Sequence, residues 1–281
     1  MSNSHEDIRA RRSVLYMPGA NARALEKAKT LECDGIILDL EDAVAPDQKA
    51  AARKQVAAAV AAGGYGHREV VVRINRLDTP WGRDDLAAIA RTGPDAILLP
   101  KVESVDEILE LENALGDFGG GPQLALWAMI ETPRGVFAVD RIADASPRLK
   151  VLVMGTSDLA KELHARHVPG REPFLYALER CVMAARAAGI AILDGVHLDL
   201  ADEAGLVAEC EQGAAMGFDG KTLIHPKQIA AANAAFRPAA EEVEGARRVL
   251  AAWDAALAEG KGVAVLDGRL VENLHAEIAR R

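Results

Sequence analysis

The chain has 281 residues, of which 50% are hydrophobic and 4% aromatic, and its formal net charge is -9 at pH 7. This acidic, aromatic-poor composition lacks the basic surface and stacking side chains that bind nucleic acid, so no nucleic-acid partner is expected. No run of about eighteen apolar residues occurs, and no apolar stretch follows the polar start, so we expect a cytoplasmic protein without membrane contact. Cys33, Cys181 and Cys210 form neither a CxxC pair nor a disulfide framework.

The first half of the chain alternates short apolar runs with segments rich in helix formers. Strands are predicted at 13–16, 35–40, 70–74 and 96–99, and helices at 21–31, 46–62, 84–91 and 104–115. Ser104 followed by Glu107 predicts a capping box at the start of the fourth helix.

The second half repeats the pattern, with strands predicted at 124–130, 151–154, 190–193 and 221–224, and helices at 136–143, 159–163, 174–188 and 202–216. Eight strand-helix units with apolar strands predict a (β/α)8 TIM barrel over residues 1–236. A doubly wound open sheet is the alternative, but no GxGxxG motif opens the first helix. Residues 237–281 exceed what a barrel needs, and we expect a helical extension that acts as a lid, in a homo-oligomer.

Two acidic residues stand at the ends of successive predicted strands. Glu131 follows the fifth strand and Asp158 follows the sixth. Carboxylate oxygens in such positions suit a hard divalent cation such as Mg²⁺, which keeps part of its water shell. Helix capping is the alternative role for both acids.

Working groups in barrel enzymes come from the C-terminal ends of several strands. The polar residues there are Asp39, Glu41, Asp42, Arg73, Asn75, Lys101, Glu103, Glu131, Asp158, Asp194 and His225. The set fits metal-assisted chemistry on an anionic substrate, with Arg73 binding a carboxylate or a developing oxyanion. Alternatively Arg73 is salt-bridged to a neighbour such as Glu41, since an unpaired buried guanidinium is costly. We expect an ion-paired Lys101 rather than a Schiff-base lysine, and a structural, hydrogen-bonding Asp39.

Eight stretches together resemble the HpcH/HpaI aldolase and citrate lyase β-subunit (CitE-like) superfamily, in its malyl-CoA lyase-like branch. They are RSVLYMPG (12–19), ILDLEDAV (37–44), VVRIN (71–75), LLPKVES (98–104), IETPRG (130–135), GTSDLAKEL (155–163), AAMGFDGKTLIHP (214–226) and DGRLVENLHAE (267–277). The resemblance implies a Mg²⁺-dependent lyase, with Mn²⁺ as an alternative ion. It would reversibly cleave a 3-hydroxyacyl-CoA such as L-malyl-CoA, β-methylmalyl-CoA or citramalyl-CoA to a 2-oxo acid and acetyl- or propionyl-CoA.

The resemblance also implies roles for individual residues. Glu131 and Asp158 would be the metal ligands, Arg73 would contact the substrate carbonyl, and Glu41 and Asp42 would lie near the metal's waters. The first strand and the helix after it would lie near the coenzyme A phosphates, and Tyr16, Pro18, Arg23 and Lys29 would bind the substrate there.

The tail departs from the pattern of the relatives. Related lyases present an aspartate from a C-terminal lid across a subunit boundary as the acid and base, and here Glu272 stands at that position. A glutamate keeps the carboxylate and adds one methylene, about 1.5 Å of reach. We therefore expect Glu272 to be the proton-transfer residue, in a homotrimer or homohexamer whose tails reach neighbouring subunits. Serine at position 157, where many relatives carry an acid, alters the surroundings of the metal site.

Two other functions stay open from the sequence. A related hydrolase would use the same site to cleave the thioester of malyl-CoA. A CitE-like subunit without turnover of its own would bind acyl-CoA or partner subunits within a lyase complex.

Overall fold

The computed structural model describes residues 9–281, which fall into two compact units, one spanning residues 10–236 and the other residues 237–281 together with residue 9. Among these described residues, no helix combines the length and the apolar character needed to cross a membrane.

The unit of residues 10–236 is a closed barrel of eight parallel strands, as predicted. The strands are β1 Ser13–Pro18, β2 Gly35–Asp39, β3 Glu69–Arg73, β4 Ala96–Leu99, β5 Ala125–Ile130, β6 Leu149–Met154, β7 Ala191–Asp194 and β8 Gly220–Leu223. Each strand pairs with its sequence neighbours, and β8 closes the barrel by pairing with β1. The alternative of an open, doubly wound sheet is therefore wrong.

Helices cover the outside of the barrel. They are α1 Ala22–Ala28, α2 Lys49–Ala62, α3 Gly82–Ile89, α4 Val105–Asp117, α5 Pro133–Ala143, α6 Thr156–Leu163, α7 Leu175–Ala188, α8 Glu203–Met216 and α9 Ile229–Ala235. The predicted capping box opens α4, where the Glu107 carboxylate accepts a hydrogen bond of 3.0 Å from the backbone N–H of Ser104. Gly189, with φ of 70°, ends α7 in the left-handed conformation that glycine adopts without strain.

The core has two layers because successive strand residues point to opposite faces. The inner layer fills the barrel with side chains such as Val14, Ile37, Val71, Trp127 and Val153. The outer layer packs the alternate strand residues against the helices. The three cysteines are free and buried, as expected for core residues.

The unit of residues 237–281 contains α10 Ala240–Ala258, β9 Ala264–Leu266, β10 Arg269–Val271 and α11 Asn273–Arg280. Its small core is formed by Trp253, Val271 and Ala276. The two strands are antiparallel, and Asp267 and Gly268 connect them with φ angles of 51° and 75°. Positive φ at both central residues is the mark of a type I′ hairpin turn. The sequence pattern predicted a helical extension here, and the hairpin between its two helices was not predicted.

Candidate active site at the barrel mouth

Strand alternation places four polar side chains at the inner face of the barrel's C-terminal mouth. Ile37, Val71 and Met129 belong to the inner core layer. Two residues further along the same strands, at the same face, stand Asp39, Arg73 and Glu131, and Tyr16 lies against the same layer from β1.

A buried ion pair joins two of these strands. Arg73 Nε and Nη2 each donate to the Asp39 carboxylate at 2.7 Å, and both side chains are almost fully buried. Backbone N–H groups of Glu41 and Ala43 donate to the same carboxylate. Burial opposes ionisation of Asp39, but the charge and hydrogen bonds of Arg73 outweigh it and hold the pKa of Asp39 below its ordinary value. Asp39 is thus the structural hydrogen-bonding residue that the sequence predicted.

Arg73 has further partners at the mouth. Its Nη1 lies 2.9 Å from Glu41 Oε2, and its guanidinium lies over the Tyr16 ring at 4.9 Å from the centroid. The predicted salt bridge between Arg73 and Glu41 is therefore present. The guanidinium remains charged next to the acids, so it is also a suitable contact for an anionic group.

Four carboxylates converge on the ammonium group of Lys101. Lys101 Nζ lies 2.6 Å from Glu41 Oε1, 3.0 Å from Asp158 Oδ2, 3.9 Å from Asp42 Oδ1 and 4.0 Å from Glu131 Oε1. Lys101 is thus ion-paired, as predicted. The structure brings together all four acids that the sequence assigned to the metal and its surroundings.

The Glu131 side chain is almost fully enclosed by neighbouring residues. It is 2% exposed, and its Oε1 accepts the backbone N–H of Lys101 at 2.8 Å. A Cβ at Gly155 would lie 2.4 Å from Glu131 Oε2, so glycine makes room for this carboxylate. Burial raises the pKa of Glu131 to about 8, opposed by Lys101. An ionised Glu131 therefore requires positive charge close by.

Neither acid is a helix cap. Thr132 is the N-cap of α5, and its hydroxyl accepts the N–H of Gly135 at 3.0 Å. Gly155 is the N-cap of α6, and Asp158 lies in the first turn with its carboxylate on Lys101. The capping alternative is wrong for both, which leaves Glu131 and Asp158 available as ligands.

The donor set at the mouth fits a hard divalent cation. Within the described residues 9–281, no group of three or more His, Cys, Asp and Glu side chains is arranged to hold a metal ion. Mg²⁺ does not need such a cage, since it is commonly held by one or two carboxylates with waters and substrate oxygens completing the octahedron. Glu131 and Asp158 are two such carboxylates, and a cation would offset the cost of ionising Glu131.

The remaining predicted residues are distributed over the molecule. Pro18 ends β1, and Arg23 is exposed in the first turn of α1 on the mouth side. Lys29 caps the other end of α1, bonds to Glu26 and lies over Tyr65, which precedes β3. Because each helix runs antiparallel to its strand, Lys29 lies at the end of the barrel opposite the mouth. The structure does not bring Lys29 together with the acids.

Glu272 belongs to the unit of residues 237–281. It is the half-buried N-cap of α11, and its backbone N–H donates to His275 Nδ1 at 3.0 Å. A carboxylate at this position also interacts favourably with the helix dipole.

Three further residues, Lys49, Asp194 and His225, have roles that the sequence did not reveal. Lys49, 5% exposed, donates to the carbonyl oxygens of Leu40 and Glu41 at 3.0 and 2.9 Å and so fixes the loop that carries Glu41. Its position in the first turn of α2, where acids are favoured, is the one sequence signal for a special role. The Asp194 side chain lies on the outer face of the barrel, where it forms ion pairs with Arg171 and Lys221 and does not face the mouth. His225 Nδ1 accepts the N–H of Lys227 and caps a short 3₁₀ helix.

Comparisons with known proteins identify the family to which the chain is similar. Residues 12–226 match the family described as HpcH/HpaI aldolase/citrate lyase. The chain is 53% identical over 270 residues to a (3S)-malyl-CoA thioesterase of Cereibacter sphaeroides (strain KD131 / KCTC 12085), covering 96% of this chain and 92% of that protein. It is 38% identical over 279 residues to the citrate lyase subunit beta of Escherichia coli (strain K12), covering 97% and 92% of the two chains.

A solved structure is similar over nearly the whole chain. It is the crystal structure of the protein CitE from Mycobacterium tuberculosis in complex with magnesium, acetoacetate and coenzyme A. The two chains are 34% identical, the match covers 96% of each, and the TM-score is 0.76.

Proposed function

Because the chain belongs to the HpcH/HpaI aldolase/citrate lyase family, we propose that it is a divalent-metal-dependent enzyme that hydrolyses the thioester of a short 3-hydroxyacyl-CoA of the malyl-CoA type. The observation that carries this proposal is the 53% identity, over 96% of the chain, to a protein named (3S)-malyl-CoA thioesterase. The sequence alone favoured C–C cleavage, with hydrolysis as the alternative. The identity to this relative is the reason that hydrolysis comes first in the proposal.

The barrel mouth supplies the groups that such a reaction needs. Glu131 and Asp158 would hold Mg²⁺ or Mn²⁺, and the bound ion would supply a Lewis acid next to the substrate's oxygens. Arg73, kept charged and oriented by Asp39, binds the carboxylate or carbonyl oxygen of the acyl group. Tyr16, Pro18 and Arg23, on the mouth side of β1 and α1, face the coenzyme A portion.

We assign proton transfer to Glu272, on the strength of the family resemblance of the tail. The Glu272 carboxylate takes a proton from water as the water oxygen bonds to the thioester carbonyl carbon. The C–S bond then breaks, and the departing thiolate takes up the proton. In this proposal residues 237–281 form a lid that serves the barrel of a neighbouring subunit in a homotrimer or homohexamer.

A second function, C–C cleavage, is favoured by the relationship to the citrate lyase subunit beta. Here a base would remove the proton of the 3-hydroxyl group. The bond between carbons 2 and 3 would break to a 2-oxo acid and a thioester enolate, and Glu272 would protonate the enolate. Both functions use the same residues and differ in whether the C–S or the C–C bond is broken.

One product assay separates the two functions. The full-length protein is incubated with (3S)-malyl-CoA, with citramalyl-CoA and with β-methylmalyl-CoA, each with Mg²⁺ or with EDTA, while free thiol and 2-oxo acid are measured in parallel. Hydrolysis gives Mg²⁺-dependent free thiol without 2-oxo acid. A 2-oxo acid without free thiol would show a lyase: glyoxylate from malyl-CoA or β-methylmalyl-CoA, and pyruvate from citramalyl-CoA. No turnover of any substrate would contradict both enzymatic functions and favour an acyl-CoA-binding subunit.

A further inference from the structure

The ammonium group of Lys101 lies among the same carboxylate oxygens that the proposed function assigns to a divalent cation. Lys101 Nζ is 3.0 Å from Asp158 Oδ2 and 4.0 Å from Glu131 Oε1, the two proposed metal ligands. Its shortest contact, 2.6 Å, is to Glu41 Oε1, which is not a proposed ligand. The lysine thus contacts acids both outside and inside the ligand pair, and its shortest contact lies outside that pair.

The backbone of Lys101 is fixed while its side chain has room to move. Its φ is 51°, in the left-handed region that non-glycine residues rarely adopt. Its N–H donates to Glu131 at 2.8 Å, and its carbonyl oxygen accepts a hydrogen bond from Arg76 Nη1 at 3.3 Å. The side chain is 26% exposed. Any displacement of the Lys101 ammonium group would therefore come from a change in the side-chain conformation, while the backbone stays in place.

The charged groups around Lys101 indicate which acid its ammonium group neutralises. Arg73 is bound by two hydrogen bonds to Asp39, so much of its charge is already compensated. Lys101 is then the cation that contacts the Asp158 side of the acid cluster. A divalent cation bound to Asp158 and Glu131 would lie within a few ångströms of Nζ, where two positive charges repel strongly.

We propose that Lys101 Nζ and the divalent cation compete for the carboxylates of Asp158 and Glu131. Cation binding moves the ammonium off Asp158 while its bond to Glu41 is kept. Lys101 therefore assembles the acids in advance and, at the same time, lowers the intrinsic affinity of the site for the metal. This inference rests on the metal site of the proposed function and concerns the regulation of its occupancy.

The test is the affinity for Mn²⁺ in the absence of substrate, measured by electron paramagnetic resonance on chelator-treated, full-length protein. Lys101→Met, which removes the charge and keeps most of the volume, should lower the Kd for Mn²⁺ by about tenfold or more. Lys161→Met is the matched control. Lys161 is on α6, one turn from Asp158, and its ion pair is with Glu162 alone among the contacts described, so this variant makes the same change in net charge. Its Kd should stay near that of the wild type.

Stability gives a second readout. Before Mn²⁺ is added, Lys101→Met should have a lower Tm than the wild type, because its acids lose their counter-ion, and Mn²⁺ should raise its Tm by more. Lys101→Gln, which retains a donor for Glu41, takes the place of Lys101→Met where the latter does not fold. Unchanged or weaker Mn²⁺ binding by a folded, uncharged variant would overturn the competition.

The outcome is separable from that of the proposed function. A wild type that hydrolyses no acyl-CoA, together with tighter Mn²⁺ binding by Lys101→Met, would reject the reaction and retain the competition. Hydrolysis by the wild type with equal Mn²⁺ affinities would retain the reaction and reject the competition. If the wild type, Lys101→Met and Lys101→Gln all fail to bind Mn²⁺, the metal site and the competition are overturned together.

Discussion

At the scale of single residues, the burial of Glu131 is the observation that supports the proposed metal site at the mouth. The carboxylate is almost fully buried, Gly155 leaves space beside it, and burial raises its pKa to about 8. A carboxylate in such surroundings is stabilised in its charged form by a cation, and the acids beside it oppose ionisation. The mouth is suitable for a divalent ion because the charged form of Glu131 is stabilised by a nearby cation, and not because a complete set of ligands is already in place.

Glu131→Gln tests this assignment directly. Glutamine has nearly the same shape and removes the charge, so we expect the Kd for Mn²⁺ to rise by about tenfold or more and thioester turnover to be lost. Asp158→Asn should behave in the same way. Calorimetric titration with Mn²⁺ and the free-thiol assay measure the two effects.

The control for these variants is Glu103→Gln. Glu103 follows β4 at the same mouth and lies 3.8 Å from Arg134, without a contact to Lys101 among those described. Its loss should leave Mn²⁺ affinity and turnover close to wild type. A fully active Glu131→Gln or Asp158→Asn variant would refute the site.

The sequence predicted which acids meet at the mouth but not how they are connected. Apolar runs followed by polar residues identified Glu131 and Asp158, because parallel strands end at a common edge. The left-handed backbone conformation of Lys101 and the hydrogen bond from the buried Lys49 side chain to the carbonyl oxygen of Leu40 depend on tertiary contacts. No local sequence pattern encodes them. Lys29 was assigned to coenzyme A binding together with the whole helix after the first strand, and the direction of α1 places it at the end of the barrel opposite the mouth.

At the scale of elements, a second ionic network ties the outer face of the barrel wall to α8 and to the segment before α7. Asp194 of β7 is fully buried and accepts hydrogen bonds from Arg171 Nη1 at 2.7 Å and from Lys221 Nζ at 3.0 Å. Lys221 Nζ also donates to Glu209 of α8, whose other oxygen is 3.1 Å from His197 Nδ1. The network fixes the segment between α6 and α7, which follows the helix that carries Asp158.

Asp194→Asn should destabilise the barrel by about 3–5 kcal/mol, because it leaves the buried charges of Lys221 and Arg171 without their shared partner. Urea unfolding monitored by circular dichroism gives the free energy of unfolding. Glu110→Gln is the matched control. It breaks the exposed pair of Glu110 with Arg83 and should cost less than about 1 kcal/mol. Equal effects of the two substitutions would contradict a structural role for the network.

Element boundaries followed from the sequence where local signals were strong. The capping box at Ser104 and the end of α7 at Ala188, just before Gly189, are set by local features, and both were predicted and found. The outward direction of the Asp194 side chain was not predicted, because an error of one residue in the position of a strand moves every side chain to the opposite face of the sheet. The tail hairpin was missed although Asp267-Gly268 is a favourable turn pair, since its strands have only three residues each.

At the scale of the whole molecule, the chain combines a barrel with a small unit that has its own core. Trp253, Val271 and Ala276 form that core, while Leu270 and Ile278 are more than half exposed. Exposed apolar side chains in so small a unit are consistent with a role at subunit contacts. This agrees with the proposal that the tail serves a neighbouring subunit in a homotrimer or homohexamer.

Glu272→Ala should abolish thioester turnover while leaving the Kd for Mn²⁺ unchanged, because Glu272 is proposed to transfer protons and not to bind metal. Removal of an N-cap side chain costs about 1 kcal/mol, so the variant should remain folded. Glu272→Asp, which restores the carboxylate of the related lyases, should retain part of the activity. Near-normal turnover by Glu272→Ala would remove this residue from the mechanism.

A mixture of two inactive variants tests whether Glu272 acts across a subunit boundary. Glu131→Gln has a defective barrel and an intact tail, and Glu272→Ala has the reverse. If each tail serves a neighbouring barrel, random assembly of equal amounts by co-expression pairs an intact barrel with an intact tail in about a quarter of the sites, so about a quarter of wild-type turnover should return. If each tail serves its own barrel, no site in the mixed oligomer holds both intact residues. Turnover no higher than that of the separate variants would therefore contradict an exchanged lid.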